Sequence, residues 1–398
     1  MKNFTFADDL GFAKPEAFWP GAGAWVRGAV SNLWNGLTGL SQVGIWPWFG
    51  VSESGSEPSQ PIGRSAHGKR PPMLNEPDSE NKEPPLSRAM VFYHEPVMLR
   101  EVVESLKPAP GKLFFDGTLG GGGHSGALLE KGAHVVAMDQ DAQAIRYATE
   151  RLAPHEDRFC ALRGNFRNFP AILAETQVTG FDGMLIDLGV SSHQLDEPSR
   201  GFSFMNDGPL DLRMDADSGR PASDLINTAS QEEIERILRE FGEEPQFRRI
   251  ARAIIKARQN APILTTAHLA DIVAGAIGRK GKRHPATLTF QGLRIAVNDE
   301  LAALHQFLEA APRWLKPGGV LAVISFHSLE DRIVKQTVHH LSAPFLDRPE
   351  WPEPRKNPDH CLKMISRKPL EATDEEVKRN PRARSARLRI AQKISHES

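Results

Sequence analysis

The sequence predicts an α/β fold, a mostly parallel sheet with a helical segment inserted late in the chain. Three observations carry this reading. Short apolar runs alternate with helical spacings from about residue 97 onward, a glycine-rich turn follows the first run, and an acidic residue closes several of the others. Strands that alternate with helices in this way form βαβ units, and such units build parallel sheets.

Each element follows in order. Val97–Leu106 is amphipathic and is stopped by Lys107-Pro108. Lys112–Phe115 is a first strand that runs into Asp116-Gly117-Thr118-Leu119-Gly120-Gly121-Gly122-Gly123-His124. Leu128–Lys131 continues as a helix, and His134–Met138 is a second strand ending at Asp139. Ala142–Leu152 is helical by spacing, and Phe159–Leu162 is a third strand ending near Asn165-Phe166. Met184–Ile186 leads to Asp187, and Val320–Ile324 leads to Ser325-Phe326-His327. Between these last two strands the patterns Gln231–Phe241, Phe247–Arg258, Thr266–Ile277 and Glu300–Leu315 are all helical, and only the last is needed as a crossover. Leu362–Ile365 and Leu388–Ala391 are closing strands, expected as an antiparallel edge pair. The expected organisation is an extension (1–89), a first part of the sheet domain (90–197), an inserted helical subdomain (198–291) and a second part of the sheet domain (292–398).

Composition removes several classes. The chain has 398 residues, 40% hydrophobic and 25% charged, which excludes a fibre and a fully disordered protein. No apolar run reaches the ~18 residues of a membrane-spanning helix, so no membrane is expected. Two cysteines cannot build a disulfide framework, and a reducing cytoplasm is the default compartment. The first 89 residues differ from the rest: they hold five of the seven Trp, followed by a Ser/Pro/Glu/Gly-rich stretch from Ser52 to Ser87 with the composition of a disordered linker. An amphipathic anchor around Ala24–Leu40, an unstructured tail and a reading frame whose start is Met90 all remain open for this extension.

The chemistry begins at the glycine turn. Glycine there lets the backbone turn tightly and lets a ligand approach the main chain. Gly121-x-Gly123-x-x-Gly126 fits the dinucleotide fingerprint, a weak signal by itself. Asp139, at the end of the second strand, stands where an acid accepts hydrogen bonds from a ribose diol; the alternative is a helix N-cap, which Asp141 could equally supply. Both features serve nicotinamide nucleotides and S-adenosyl-L-methionine alike. Asp187-Leu188-Gly189-Val190-Ser191-Ser192 separates the two, because it sets a carboxylate at the carboxyl end of the fourth strand. An exocyclic base amine is a poor nucleophile, since its lone pair is delocalised into the ring. A carboxylate accepting its N–H localises and orients that lone pair, a need that hydride transfer does not share.

Six motifs now resemble one family. His94-Glu95-Pro96-Val97-Met98-Leu99, Asp116 to Ser125, Asp187 to Ser192, Arg200-Gly201-Phe202-Ser203-Phe204-Met205, Ile324-Ser325-Phe326-His327-Ser328-Leu329-Glu330-Asp331-Arg332 and Asn380-Pro381-Arg382-Ala383-Arg384-Ser385 are similar to the bacterial ribosomal RNA small subunit methyltransferase H family, in the family's order over about residues 91 to 393. The resemblance implies a Rossmann-like S-adenosylmethionine-dependent methyltransferase sheet with an inserted helical domain. It implies N4-methylation of a cytidine in the decoding centre of 16S rRNA. Carried over residue by residue, it places cofactor contacts on Gly122, Gly123 and His124, on Asp139 for the ribose, on Phe166 beside the adenine, and on Asp187 and Gln194 near the methionine end. The residues themselves support the glycines, Asp139 and Asp187. Phe166 reads equally as a core residue, and nothing in the sequence chemistry singles out Gln194.

Related amino-methyltransferases often follow the catalytic acid with Pro-Pro-aromatic, whereas Asp187 precedes Leu-Gly-Val-Ser-Ser. Stacking on the target base is therefore assigned to Phe202 and Phe204, against the alternative that both are core. His327 is a candidate rim residue or RNA contact, against a structural histidine. No metal is required, and the histidines lack zinc-ligand spacing.

Charge distribution points to the partner. Although the formal net charge is −1, Pro245–Asn298 and Val377–Ile394 together hold seventeen Lys and Arg against the single acid Asp271. Such one-signed blocks commonly face polyphosphate, and Lys280, Lys282 and Arg283 are the sharpest candidates for contact with 16S rRNA in the 30S subunit. A nicotinamide-dependent oxidoreductase and a non-catalytic RNA-binding assembly factor stay as alternatives from other classes. The oligomeric state is open, a homodimer included.

Overall fold

A computed structural model describes residues 96–174, 176–278 and 284–395. The extension 1–89 and the basic residues Lys280, Lys282 and Arg283 lie outside the described residues.

The chain enters through helix α1 (Leu99–Leu106), which buries Val102 and Leu106 and ends where Lys107 turns left-handed ahead of Pro108. It starts two residues later than the spacing suggests, because Met98 adopts φ +53° and donates its N–H to Glu376 near the chain's other end, at 2.7 Å. Then follow β1 (Leu113–Asp116), α2 (Gly123–Glu130), β2 (His134–Asp139), α3 (Ala142–Arg151), β3 (Phe159–Arg163), α4 (Phe169–Ala174), β4 (Phe181–Asp187) and the short α5 (Ser192–Asp196). A helical block comes next: α6 (Ala222–Thr228), α7 (Gln231–Glu240), α8 (Phe247–Asn260), α9 (Thr266–Ile277) and α10 (Thr287–Asn298). The chain returns through α11 (Glu300–Trp314), β5 (Leu315–Ser325), α12 (Ser328–Ser342), the small pair β6 (Phe345–Leu346) and β7 (Arg355–Lys356), β8 (Leu362–Met364), β9 (Leu370–Glu371), α13 (Asp374–Arg379) and β10 (Arg387–Lys393).

The main sheet runs β3-β2-β1-β4-β5-β10-β8, with β9 also on β10. The first five strands are parallel, and β10 lies antiparallel to both β5 and β8. The expected closing pair therefore forms, but β10 is an interior strand. Its burial explains why: Leu388 and Ile390 face one apolar layer while Ala391 faces the other. Strand alternation organises both layers in the same way. Phe115, Met184 and Ile186 pack with Phe169, Phe181 and Phe307 on one side, and Phe114 and Leu185 pack with Leu128 and Ile324 on the other.

The helical block closes its own apolar cluster around Ile234, Ile237, Ile250, Ile254, Leu269, Val273 and Leu293. The break expected at 291 falls inside α10, which contributes Phe290 and Leu293 to that cluster and continues to Asn298. Strand order reverses between β1 and β4, so the carboxyl ends of these two strands open a crevice at the switch point.

Candidate active site

Turn geometry comes first. Gly120 and Gly122 have φ of +49° and +73°, a region that a side chain resists. A Cβ on Gly122 would also press on Ala148 of α3 and on Leu152 just past its end, and one on Gly123 would meet the ring of Pro96. The turn borders a cavity of about 610 Å³ whose walls include Gly117, Gly120, Gly121, Gly123, His124 and Asp139. Gly122 is not on that wall. Its left-handed φ shapes the turn and seats it against Ala148 and Leu152.

Asp139 faces the cavity from the end of β2. Its Oδ2 accepts the N–H of Gly120 and its Oδ1 that of Asp141, each at 2.8 Å. Burial pushes its carboxyl up to about 6, against the pull of these two bonds. The helix cap falls instead to Asp141, which accepts the N–H of Gln143 at 2.9 Å.

Asp187 ends β4 with its N–H donated to the Thr118 hydroxyl at 2.7 Å. Its Oδ1 is buried without a hydrogen-bond partner, and its Oδ2 lies 3.9 Å from His124 Nδ1. Burial, then repulsion from Asp116 and Glu330, holds its carboxyl well above the ordinary carboxylate range. His124 Nε2 sits 3.0 Å from the Val97 carbonyl, so this nitrogen carries the proton and Nδ1 turns its lone pair toward Asp187. Burial lowers the basicity of His124, opposed by Asp116 behind it.

Phe166 lines the cavity and packs edge-on against Phe307, so its two readings coexist. Gln194 also reaches the wall, but both ends of its amide are engaged: Oε1 accepts the Ser191 N–H at 3.0 Å and Nε2 donates to Asp141 Oδ2 at 3.0 Å.

The three residues expected on the target side lie off this cavity's wall. Phe202 is buried in the apolar cluster of the helical block, and Phe204 packs on Phe290 and His284; neither lines the cavity. Among the described residues, the phenylalanines at the cavity are Phe166 and Phe326. His327 is likewise off the wall: it caps α12 and lies 3.0 Å from Glu330, holding that carboxylate in place.

Sequence reasoning assigned no role to Gln140, Met214 or Glu330, all of which line the cavity, and read Arg294 as RNA-facing. Arg294 instead grips Glu300 through two bonds of 2.8 Å. Glu300, His327 and Glu330 have metal-ligand spacing, and Arg294 already sets a cation beside them. No periodicity marks these residues, since their roles depend on loops meeting in space.

The cavity thus joins the carboxyls of Asp139 and Asp187 at two strand ends, an approachable backbone turn and the Glu300–Arg294–Glu330 charge cluster. With this sheet it fits a methyltransferase of the S-adenosylmethionine-dependent class. The chain belongs to the MraW methylase family, whose profile matches residues 91–394. Proteins named ribosomal RNA small subunit methyltransferase H are similar to it. That of Anaeromyxobacter sp. (strain K) is 52% identical over 306 residues, covering 76% of this chain and 98% of its own. That of Heliobacterium modesticaldum is 50% identical over 312 residues, covering 77% and 100%. The crystal structure of an rRNA methylase from Streptococcus thermophilus superposes with a TM-score of 0.34 at 10% identity, over 75% of this chain and 94% of that one. The cofactor of this class is S-adenosyl-L-methionine.

Proposed function

We propose that this chain methylates the N4 amine of a cytidine in the decoding centre of 16S rRNA, acting on the 30S subunit in the cytoplasm. The observation that carries the reading is the buried, unpartnered Oδ1 of Asp187 at the end of β4. A buried acceptor without a donor costs free energy unless a ligand satisfies it, and an exocyclic amine offers the right donor. The names of the relatives support ribosomal RNA as the substrate.

Bound here, S-adenosylmethionine supplies an electrophilic methyl group on a sulfonium. Asp139 would accept the ribose hydroxyls, Gly120, Gly121 and Gly123 would let the ligand approach the turn's backbone, and Phe166 would offer the adenine a flat wall. Asp187 accepts one N–H of the target amine and so turns its lone pair away from the ring. Its raised proton affinity then fits it to take the proton that the amine loses once the new N–C bond has formed. Phe326, Leu188, Gly189 and Val190 line the same cavity, and we assign the target base to the space they border.

The helical block, which we propose as a subdomain, supports RNA contact by its surface. Arg248, Arg249, Arg252 and Lys256 form one exposed stripe on α8 at helical spacing. Part of the second basic block is paired within the chain: Arg387 and Arg389 bond Asp331, Lys393 reaches the Pro312 carbonyl, and Arg382 reaches Asp196 at the surface. Among the described residues no helix is long and apolar enough to cross a membrane. The test is mass mapping of 16S rRNA from a deletion strain, with and without complementation: N4-methylcytidine should vanish and return, and its persistence in the deletion strain would refute the assignment.

A further inference from the structure

One buried arginine joins the cofactor side of the cavity to the helical block. Arg200 sits in a short turn after α5, 6% exposed. Its Nη1 donates to Asp141 Oδ2 at 2.6 Å, and its Nη2 donates to the carbonyls of Arg213 and Met214 at 3.1 and 2.9 Å. Both ends of this contact matter for the cavity. Asp141 gives its own N–H to Asp139 Oδ1 and takes the Gln194 amide on the oxygen that Arg200 binds. Met214 forms part of the cavity wall, and its sulfur receives the Gln140 amide at 3.1 Å.

The Arg213–Met214 segment is itself held out of its relaxed shape. Leu212 has φ +64°, and Asn298 of the block clamps it by donating to the Leu212 carbonyl at 2.8 Å and accepting the Met214 N–H at 2.7 Å. A planar, permanently charged fork satisfies one carboxylate and two carbonyls at once, which an ammonium on a flexible stem cannot do.

We propose that Arg200 is a positioning residue for S-adenosylmethionine, and that through Asp141 it links cofactor affinity to RNA engagement by the helical block. This rests on the proposed methyl-transfer reading. Anything that shifts the block moves Met214 and Asn298, and Arg200 passes that shift to the loop that aims Asp139. By linkage, the cofactor must bias the block equally in return.

The test is Arg200→Lys in the full chain, with Arg236→Lys on the exposed face of α7 as control. Calorimetry of S-adenosylmethionine binding is paired with single-turnover methylation of 30S subunits. Wild-type protein that bound no cofactor would sink the underlying reading before the variant is considered. With Arg200→Lys, the cofactor Kd should rise by about tenfold or more, while kcat at saturating cofactor stays within about threefold. Cofactor affinity of the wild type should change when 30S subunits saturate the protein, and that change should disappear in the variant. Purely structural support would lower the melting temperature and leave the Kd of the folded protein alone. Should Arg200→Lys fail to fold, Asp141→Asn keeps the helix cap and should show the same Kd rise. An unchanged Kd in the folded variants, or a wild type whose cofactor affinity ignores 30S subunits, overturns the proposal.

Discussion

The two halves of the cavity behave differently as sequence. On the sheet side, Asp139 and Asp187 stand where the spacing of strands and loops sets them, at the carboxyl ends of β2 and β4. On the helical side, Phe202 and Phe204 have the right chemistry for a target base and the wrong surroundings. A strand end in a parallel sheet faces the crevice whatever its neighbours are, because topology puts it there. An aromatic residue in a loop faces whichever apolar surface is nearer, and for Phe202 that is the core of the block.

Asp187→Asn attacks the sheet side at its centre and should have the largest effect. The amide keeps the shape but loses the charge and the capacity to take a proton, so kcat should fall by about 10²–10⁴-fold while 30S affinity is retained. Methylation kinetics at saturating cofactor would check this. Phe202→Ala attacks the other side in a different currency. Its removal from a closed apolar cluster should cost about 3–5 kcal/mol of stability, visible in thermal unfolding, with cofactor affinity of the folded fraction preserved. Phe326→Ala should do the reverse, weakening turnover with a smaller loss of stability; if Phe202→Ala instead hit turnover alone, the division between the halves would fail.

A pH titration sharpens the sheet side. In the proposed role Asp139 would accept ribose hydroxyls as a carboxylate, and burial pushes its carboxyl up to about 6. Protonation removes the acceptor, so cofactor affinity should fall as pH drops through about 6 and level off above it. Asp139→Asn should remove this dependence. For folding the sign is opposite to that of a salt-bridged acid: a raised carboxyl stabilises the fold only while protonated, and that contribution is lost as pH rises through about 6.

The smallest expected effect concerns the surface of the block. Replacing Arg249, Arg252 and Lys256 by Glu should weaken 30S binding and flatten the dependence of log K on log salt by about one for each phosphate that is no longer neutralised. Arg387→Gln should change that slope less, since Arg387 is paired with Asp331. Filter binding across a salt series separates the two.

Legibility followed the same line. Apolar alternation located the five parallel strands, and the acids closing β2 and β4 were readable because each follows an apolar run. The starts of β4 and β5 were harder: Phe181-Asp182-Gly183 and Leu315–Gly319 break the apolar run, and the ladder shifts register there, from Phe181 on Leu315 to Gly183 on Val320. Gln194 had no rationale in sequence, for its reason is Asp141, fifty-three residues away in the chain and 3.0 Å away in space. Arg294, Arg387 and Arg389 looked like RNA-facing charge because a count of cations cannot see the acids Glu300 and Asp331 folded onto them.

The central claim is that Asp187 delivers a cytidine amine to the methyl donor. Single-turnover transfer of isotope-labelled methyl to 30S subunits from a strain lacking this activity, followed by nucleoside mass analysis, tests it most directly. Wild type should place the label on N4-methylcytidine, with Asp187→Asn slower by about a hundredfold or more at saturating cofactor. Label on any other nucleoside, or equal rates for the two proteins, would contradict it.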